Sequence, residues 1–329
     1  MKSDLTTESI QHIARGFSRA RVLLTGVELD IFTILANEPL SAEAVVDKLD
    51  WDLRATTIFL DALVAMGLLV KEGDRYGTSP QVVRLLTAGS EDSILSGLLH
   101  TAHLWKTWSR LTGVVQNGGP ARKDETDNAD HIKAFIGAMH VGALRIAPEI
   151  VKTVEPGAAR NFIDVGGGSG SYTIGFLKTI PDMKATLFDL PDVIPMARER
   201  ISEEGLIDRV TLVGGDYNKD NLPGGHDLAL LSAIIHQNNH EQNVALYKKV
   251  YGALDSGGRV IVRDYAMSGD RTKPASGALF AINMLVNTVG GNSYTFEEIK
   301  GGLEEAGFER VKLLQESEMS SLVEAFKPY

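Results

Sequence analysis

The chain has 329 residues, of which 43% are hydrophobic and 23% are charged. This composition is typical of a globular protein of about two domains and excludes disordered, collagen-like and coiled-coil chains. Because 43 acidic residues outnumber 33 Lys and Arg, the formal net charge is −10, which disfavours nucleic acid as a partner. A sequence without Cys cannot form disulfides or thiolate metal sites. With no apolar leader and no apolar run of ~18 residues, the sequence predicts a cytoplasmic protein without membrane contact.

Residues 1–115 are predicted to form a helical domain of winged-helix type. Apolar residues recur at helical spacing across residues 5–36. Ser41 is placed to cap a short helix, and Leu53–Gly67 is predicted as a second helix. The following segment is predicted to be a two-stranded wing that turns at Gly73. A winged helix of this kind can bind DNA or serve as a structural or dimerisation module.

This winged-helix pattern is poor in the residues that contact DNA bases. A recognition helix presents Arg, Lys, Asn or Gln to base edges, whereas Leu53–Gly67 offers only Arg54 and carries Asp61. Residues 41–90 hold five basic residues against seven acidic ones. The pattern therefore favours a structural module, with a winged-helix regulator as the non-enzymatic alternative.

A polar segment separates this region from a second domain over residues 131–329. Gln116–Asp130 is rich in Gly, Asn and Asp and is predicted to be a linker loop. The second domain opens with a predicted helix over residues 131–154. It continues with seven apolar runs: NFIDVG, ATLFDL, VTLVGGD, DLALLS, RVIVRDY, ERVKLL and SLVEAF. Their alternation with helical segments predicts an α/β domain with a mostly parallel, seven-stranded sheet. The last strand is predicted to be antiparallel, because Gln315–Ser320 leaves no room for a helix.

A glycine-rich loop, Asp164–Gly170 (DVGGGSG), ends the first predicted strand and precedes a helix that begins at Ser171. Glycines at such a turn let the backbone approach a ligand, and the helix N-terminus offers free N–H donors. On its own, the loop also fits nicotinamide-binding and other nucleotide-binding folds. No Walker lysine follows it, so the pattern excludes phosphoryl transfer.

Three acidic residues follow successive predicted strands and narrow the choice of ligand. They are Asp164, Asp189 and Asp216. Asp189 lies at the distance from the glycine loop at which a ribose-binding acid occurs in doubly wound nucleoside sites. Three carboxylates suit a positively charged adenosine, the sulfonium S-adenosylmethionine (SAM), better than an anionic dinucleotide. The alternative is that all three are turn residues at strand ends.

His236 follows the fourth predicted strand and precedes a predicted helix over His240–Leu254. Asn238 and Glu241 have the spacing of a capping box for this helix. His236 is thus expected at the carboxyl edge of the sheet, where open α/β folds bind ligands. The two histidines of HQNNH lack the Glu of a zinc-protease motif. A buried structural histidine and a catalytic base are the two interpretations that the local sequence leaves open.

The motifs IDVGGGSG, LFDLPDVI, GGDY and IIHQ, in this order behind a winged-helix region, resemble the two-domain, metal-independent class I SAM-dependent O-methyltransferases. This family includes caffeate, acetylserotonin and bacterial natural-product enzymes. HLWKTWSRL, AFIGAMH and LFAINMLVNTVGG match in order as well, so the resemblance covers nearly the whole chain. It implies a Rossmann-like domain, SAM as cofactor with S-adenosylhomocysteine (SAH) as product, no metal, a small-molecule acceptor, and a homodimer formed through the N-terminal domain. The implied cofactor-binding residues are Asp164, Gly166, Gly168, Gly170, Asp189, Leu190, Gly215, Asp216, Tyr217 and Ser232.

The same resemblance implies which residues react with the acceptor. His236 would be the general base that removes the proton of an acceptor hydroxyl, and Asp264, at the end of the next strand, would orient it. A phenol, whose ordinary pKa is ~10, is mostly protonated at neutral pH, so a base is useful. The implied pocket fits a flat, largely apolar acceptor, aromatic or polyketide-like, with one hydroxyl. It consists of Trp105, Trp108, Phe135, Met139, His140, Phe280, Asn283, Met284 and Asn287.

Four positions depart from the family pattern. The His-Asp-Trp sequence of the family begins at His236 but continues as Gln-Asn. The second catalytic acid is Ser293, and the lysine that many plant members place near the adenosine is Ser232. If the second acid is the missing part, a Glu at position 293 would raise the rate on phenols. The departures leave an alternative open, in which a SAM-binding homologue catalyses N- or C-methylation or a non-methylating reaction.

Overall fold

The computed structural model describes residues 5–90, 92–120, 143, 145–317 and 320–329. These residues fall into two compact units, the first ending at Lys106 and the second beginning at Thr107. This boundary lies within one helix, Leu95–Trp108, nine residues before the predicted domain end at residue 115. The predicted linker 116–130 lies mostly outside the described residues.

The first unit contains the predicted helices and wing. Its elements are α1 (Thr7–Glu28), α2 (Ile31–Asn37), β1 (Leu40–Ser41), α3 (Ala42–Leu49), α4 (Leu53–Ala65), β2 (Val70–Glu72), β3 (Arg75–Gly77), α5 (Pro80–Leu86) and α6 (Leu95–Trp108). The apolar segment 5–36 is divided between α1 and α2, because Asp30 adopts a left-handed conformation with φ of 51°. The Ser41 hydroxyl accepts a hydrogen bond from the Ala44 N–H at 3.2 Å and caps α3, as predicted.

The core and the wing of this unit are joined by α4. Leu60 and Leu63 of this helix are buried with Phe32 in the unit's hydrophobic cluster. On the same helix, Asp61 accepts hydrogen bonds from the Lys71 ammonium at 2.6 Å and the Tyr76 hydroxyl at 2.8 Å, both on the wing. The acid on the predicted recognition helix therefore ties the helix to its own wing.

The second unit contains the predicted α/β domain. Its helices are α7 (Leu111–Asn117), α8 (residues 145–154), α9 (Ser171–Thr179), α10 (Ile194–Glu203), α11 (His240–Ala253), α12 (Ala275–Asn287) and α13 (Phe296–Glu305). Its strands are β4 (Asn161–Val165), β5 (Lys184–Asp189), β6 (Val210–Gly214), β7 (His226–Ser232), β8 (Leu254–Asp264), β9 (Ala266–Met267), β10 (Tyr294–Thr295), β11 (Glu309–Gln315) and β12 (Ser321–Phe326). Within the described parts of both units, no helix combines the length and apolar character needed to cross a membrane.

Seven of these strands form one sheet in the order β11-β12-β8-β7-β4-β5-β6. Strands β8, β7, β4, β5 and β6 pair in parallel, and β12 pairs antiparallel with both β8 and β11. The mostly parallel sheet and its antiparallel last strand are thus confirmed. The helix predicted over residues 131–154 is present in its described part, residues 145–154.

Helices cover both faces of the sheet, because alternate strand residues point to opposite sides. Val165 and Val262 are buried on one face, in the cluster that also includes α11 and α13 residues. Phe162 and Ile261 are buried on the other, with residues of α8 and α9. This packing fixes the strands, so that β4, β5, β7 and β8 present their carboxyl ends at one edge.

The N-terminal cap of α11 differs from the predicted one. The capping box is formed by Asn239 and Gln242, not by Asn238 and Glu241. Asn238 is buried and its amide donates to the Asn243 Oδ1 atom at 3.1 Å. Both neighbouring asparagines are suitable caps by type, and burial of Asn238 decides which of them serves.

Candidate active site

The glycine loop that follows β4 has a backbone conformation that residues other than glycine rarely adopt. Gly166, Gly168 and Gly170 have φ of 68°, 57° and 82°. A Cβ atom at Gly166 would lie 2.3 Å from the Ile234 side chain, so the loop packs against the segment that leads to His236. A Cβ at Gly168 would meet nothing within 4 Å. The loop is therefore closed towards the protein and open at Gly168, where a ligand can approach the backbone.

Asp189 lies at the end of β5 and faces this open loop. Its carboxylate accepts hydrogen bonds from the backbone N–H of Gly168 and of Leu190, each at 2.7 Å. Burial raises the pKa of Asp189 above its ordinary value, against these two hydrogen bonds. The second predicted acid thus borders the glycine loop, and its binding of a ribose stays a prediction.

Asp164 lies on β4 beneath the loop and is 1% exposed. Its Oδ2 atom accepts a hydrogen bond from the Thr173 hydroxyl at 2.8 Å, in the first turn of α9. Burial, with the charge of Asp189 as a smaller cause in the same direction, raises the pKa of Asp164 to about 7, against the hydrogen bond from Thr173. The sequence did not identify Thr173 as its partner.

Asp216 differs from the other two acids because it lies in a turn and is partly exposed. It pairs with Lys219 at 2.9 Å and accepts the N–H of Asn218, which lowers its pKa. Next to it, a Cβ at Gly215 would lie 2.5 Å from the Phe188 ring. Burial raises the pKa of the Tyr217 hydroxyl to about 12. The structure thus brings Asp164 and Asp189 together and places Asp216 beyond the end of the next strand.

These residues fit a nucleoside with a cationic group. The glycine loop exposes backbone at Gly168, and the carboxylates of Asp164 and Asp189 are held beside it. A cationic ligand would stabilise the charged forms of both acids, which burial disfavours. The glycine loop and these two acids are therefore suited to SAM.

His236 is held in a short 3-10 turn, Ile235–Gln237, that follows β7. Ala233 begins this turn with φ of 57°. The carbonyl of His236 accepts a hydrogen bond from the Asn292 N–H at 2.9 Å, and a Cβ at Gly291 would lie 2.3 Å from the same oxygen. The backbone of His236 is thus fixed from two sides, by its own turn and by the segment after α12.

The imidazole ring of His236 is paired with Asp264. Its Nδ1 atom lies 3.0 Å from Oδ1 and 2.9 Å from Oδ2 of Asp264, and the two side chains are 11% and 3% exposed. The ring also meets Phe280 edge to face, with centroids 4.8 Å apart. When Asp264 is ionised and the ring is neutral, Nδ1 carries the hydrogen that the carboxylate accepts, and Nε2 keeps its lone pair. Within the described residues, Nε2 has no hydrogen-bond partner, so this arrangement can accept a proton.

Ser293, at the position of the second family acid, does not face this histidine. It is 2% exposed, and its hydroxyl donates to the carbonyl of Gly277 in α12 at 2.8 Å. Its own carbonyl accepts from the Arg271 guanidinium. Ser293 therefore joins two segments of backbone, and Asp264 alone is the carboxylate in contact with His236 among the described residues.

Part of the implied acceptor pocket forms a polar and aromatic group in the second unit. The Trp108 indole N–H donates to the Asn283 side-chain oxygen at 2.9 Å, and the Asn287 amide donates to the same atom at 3.0 Å. Phe280 lies between His236 and Tyr265, at 4.8 Å from each ring.

The remaining pocket residues are placed differently. Met284 is buried in α12. Trp105 belongs to the first unit, where it contacts Phe17 and the Arg21 guanidinium. The other three predicted pocket residues lie outside the described residues; they are Phe135, Met139 and His140. Among the described residues, no group of three His, Asp or Glu side chains could hold a metal ion.

Known proteins resemble this chain over nearly its whole length. The profile of an O-methyltransferase domain matches residues 108–309, and that of an O-methyltransferase dimerisation domain matches residues 11–88. The tetracenomycin polyketide synthesis 8-O-methyl transferase TcmO of Streptomyces glaucescens is 30% identical, over 97% of this chain and 96% of TcmO. The N,N-dimethyltransferase OxyT of Streptomyces rimosus is 30% identical, over 91% of this chain and 90% of OxyT.

A solved structure gives the same result. PigF with SAH, a methyl transferase of Serratia, is 25% identical, with a TM-score of 0.88 over 98% of this chain and 100% of that chain. The chain therefore belongs to the O-methyltransferase family with an N-terminal dimerisation domain, and it is a SAM-dependent methyltransferase.

Proposed function

We propose that the enzyme methylates a hydroxyl of a small aromatic or polyketide-like compound, with His236 as general base. The observation that carries this proposal is the buried pair of His236 and Asp264, which leaves Nε2 beside Phe280 as an acceptor with no partner in the described part of the chain. The relative TcmO acts in polyketide synthesis, and its name specifies O-methyl transfer. An aromatic acceptor suits the rings of Phe280 and Trp108, and Trp108 and Asn287 hold the Asn283 side chain in place by donating hydrogen bonds to its oxygen.

The residues that would hold the cofactor are those of the glycine loop with Asp189. When bound, SAM supplies an electrophilic methyl group on a sulfonium centre. The protein's contribution is alignment of the acceptor oxygen and removal of its proton. The acceptor O–H proton moves to Nε2 of His236. The ring then carries a positive charge that the Asp264 carboxylate, 2.9 Å from Nδ1, stabilises.

We propose that the enzyme is a homodimer that needs no metal. In support of dimerisation, α1 and the segment before it expose apolar side chains that a partner could cover: Leu5, Ile10, Ile13 and Phe17 are 77%, 52%, 76% and 60% exposed. Light scattering tests the dimer, and activity after exhaustive dialysis against EDTA tests the metal.

The proposal is tested with a panel of phenols and amines and labelled SAM. His236→Ala is expected to lower kcat on the best phenol by ~10²–10⁴-fold, the usual contribution of a general base. SAH affinity, measured by calorimetry, should hardly change, because the glycine loop and Asp189 remain. His240→Ala, which removes a half-exposed histidine four residues further on, is the matched control and should keep full activity.

The second candidate function is N-methylation, which the equally similar relative OxyT favours. A neutral amine attacks through its own lone pair and needs no base before transfer. Methylation of amines in preference to phenols, with near wild-type kcat in His236→Ala, would establish this alternative and contradict the assigned role of His236.

A further inference from the structure

Arg263 is a charged residue inside the apolar strand β8, one residue before Asp264. In the sheet it lies between Ser232 of β7 and Leu322 of β12. Its side chain lies on the face of the sheet opposite to that of Asp264, because successive strand residues alternate. The guanidinium carbon lies 5.6 Å from the centre of the Tyr172 ring, in the first turn of α9. Arg263 thus occupies the edge of the sheet at which the glycine loop and α9 begin.

The donors of Arg263 are largely unused. A guanidinium has five N–H donors. Nη1 makes one long hydrogen bond, 3.4 Å, to the Ser232 hydroxyl. Nε is buried and has no hydrogen-bond partner in the part of the chain that the structure describes. Among the described residues, no carboxylate forms an ion pair with it.

Two other arginines of this unit have guanidinium groups with several hydrogen-bond or ion-pair partners. Arg259, on the same strand, pairs with Glu324 and donates to the carbonyl of Glu155. Arg209 donates to the three carbonyls of Met183, Leu177 and Ile180. A half-buried guanidinium without such partners is costly unless an anion reaches it. The unused donors of Arg263 therefore indicate an anionic group of a ligand.

The position of Arg263 indicates which ligand supplies that anion. Tyr172, over whose ring the guanidinium lies, follows the glycine loop by two residues. Asp164 and Asp189, beside the glycine loop, would repel a carboxylate. An anionic group of the ligand is therefore expected near Arg263 and away from these two acids. The ligand of this loop is SAM, whose methionyl group carries a carboxylate as well as two positive charges.

We propose that Arg263 binds the carboxylate of the methionyl group of SAM and thereby distinguishes SAM and SAH from adenosine thioethers without that group. The proposal rests on SAM being the cofactor. It makes Arg263 a binding residue, separate from the pair that handles the acceptor proton on the opposite face of β8.

The test compares two ligands that differ only in the carboxylate, SAH and decarboxylated SAH. Calorimetry gives the dissociation constants of both for the wild-type dimer and for Arg263→Gln. We expect Arg263→Gln to weaken SAH ~10- to 100-fold, as for loss of a charge-assisted hydrogen bond, and to leave decarboxylated SAH unchanged. Arg263→Lys, which keeps the charge, should retain part of the preference for SAH.

The control and the contrary outcomes are distinct. Arg259→Gln removes an arginine from the middle of the same strand, four residues before Arg263, and should leave the ratio of the two affinities unchanged, whatever its effect on melting temperature. An equal loss for both ligands in Arg263→Gln, or no loss for either, would overturn the proposal. A ratio that stays unchanged while the KM of a carboxylate-bearing acceptor rises would assign Arg263 to the acceptor and also overturn it. Failure of the wild-type protein to bind either ligand would instead contradict SAM as the cofactor.

Discussion

Replacing Asp264 with Asn tests how much of the reaction depends on the carboxylate behind His236. The carboxylate accepts from the His236 ring at 2.9 Å, from the His236 backbone N–H at 3.4 Å and from the Tyr265 N–H at 2.9 Å. Asn keeps the size of the side chain but only one accepting oxygen. In either orientation its NH₂ group meets a backbone N–H, so the ring loses a firm acceptor for its Nδ1 hydrogen.

The expected loss follows from the strength of this one interaction. A hydrogen bond to a charged group contributes ~1.5–3 kcal/mol. If that contribution is made to the transition state, where the ring becomes positively charged, kcat falls by ~10- to 100-fold, at one factor of ten for each ~1.4 kcal/mol. The effect should be smaller than that of His236→Ala, because the base itself is still present.

The assay is single-turnover methylation with saturating SAM, together with the SAH dissociation constant and the melting temperature. Asp255→Asn is the matched control, since Asp255 is an exposed acid at the other end of β8. It should change neither kcat nor SAH binding. Wild-type kcat in Asp264→Asn, with a folded protein, would refute the role of the carboxylate. An equal loss of SAH affinity and of kcat would show that the substitution distorts the whole site.

Two further predictions concern Ser293 and Asp164. Ser293→Glu is expected to lower the melting temperature and to leave kcat no higher, because the new carboxylate would meet the Gly277 carbonyl that the Ser293 hydroxyl now donates to; a higher kcat at unchanged melting temperature would contradict this. Burial raises the pKa of Asp164 to about 7 in the folded protein, so its contribution to stability is present at low pH and lost as the pH rises towards 7. The free energy of unfolding of the ligand-free wild type, measured in urea, should therefore decrease relative to Asp164→Asn between about pH 4 and about pH 8; a difference that does not vary with pH would count against a buried, shifted carboxyl.

The sequence was sufficient for those features that depend on local patterns. Apolar runs between helical segments predicted the seven strands and the antiparallel β12, because strand and helix periods are properties of short segments. The glycine loop and the helix α9 behind it followed from residue type, since Gly166 and Gly168 occupy backbone conformations that other residues rarely adopt. The pairing of His236 with Asp264 followed only from the family resemblance.

Features that depend on distant contacts could not be predicted. The partner of Ser293 is a carbonyl 16 residues away, and no pattern in VGGNSYT shows that its hydroxyl turns to α12. The change of cap from Asn238 to Asn239 depends on which of two similar side chains is buried. Arg263 did leave a signal, a charge inside the apolar run RVIVRDY, but the sequence does not show whether such a charge has a partner.

The proposed acid–base machinery therefore consists of His236 and Asp264, and this limits which acceptors it can deprotonate. In the proposed mechanism, with Ser293 committed to backbone, Asp264 is the only carboxylate among the described residues that balances the positive charge formed on His236. A base supported by one carboxylate suffices for a hydroxyl whose proton is already weakly held, as in a phenol, and much less for an alkyl alcohol, whose proton is far harder to remove. The rest of the rate must come from alignment of the acceptor, which the Phe280 ring and the amides of Asn283 and Asn287 can provide. The departures from the family pattern thus agree with the proposed methylation of an aromatic hydroxyl, in which positioning would contribute more than base strength.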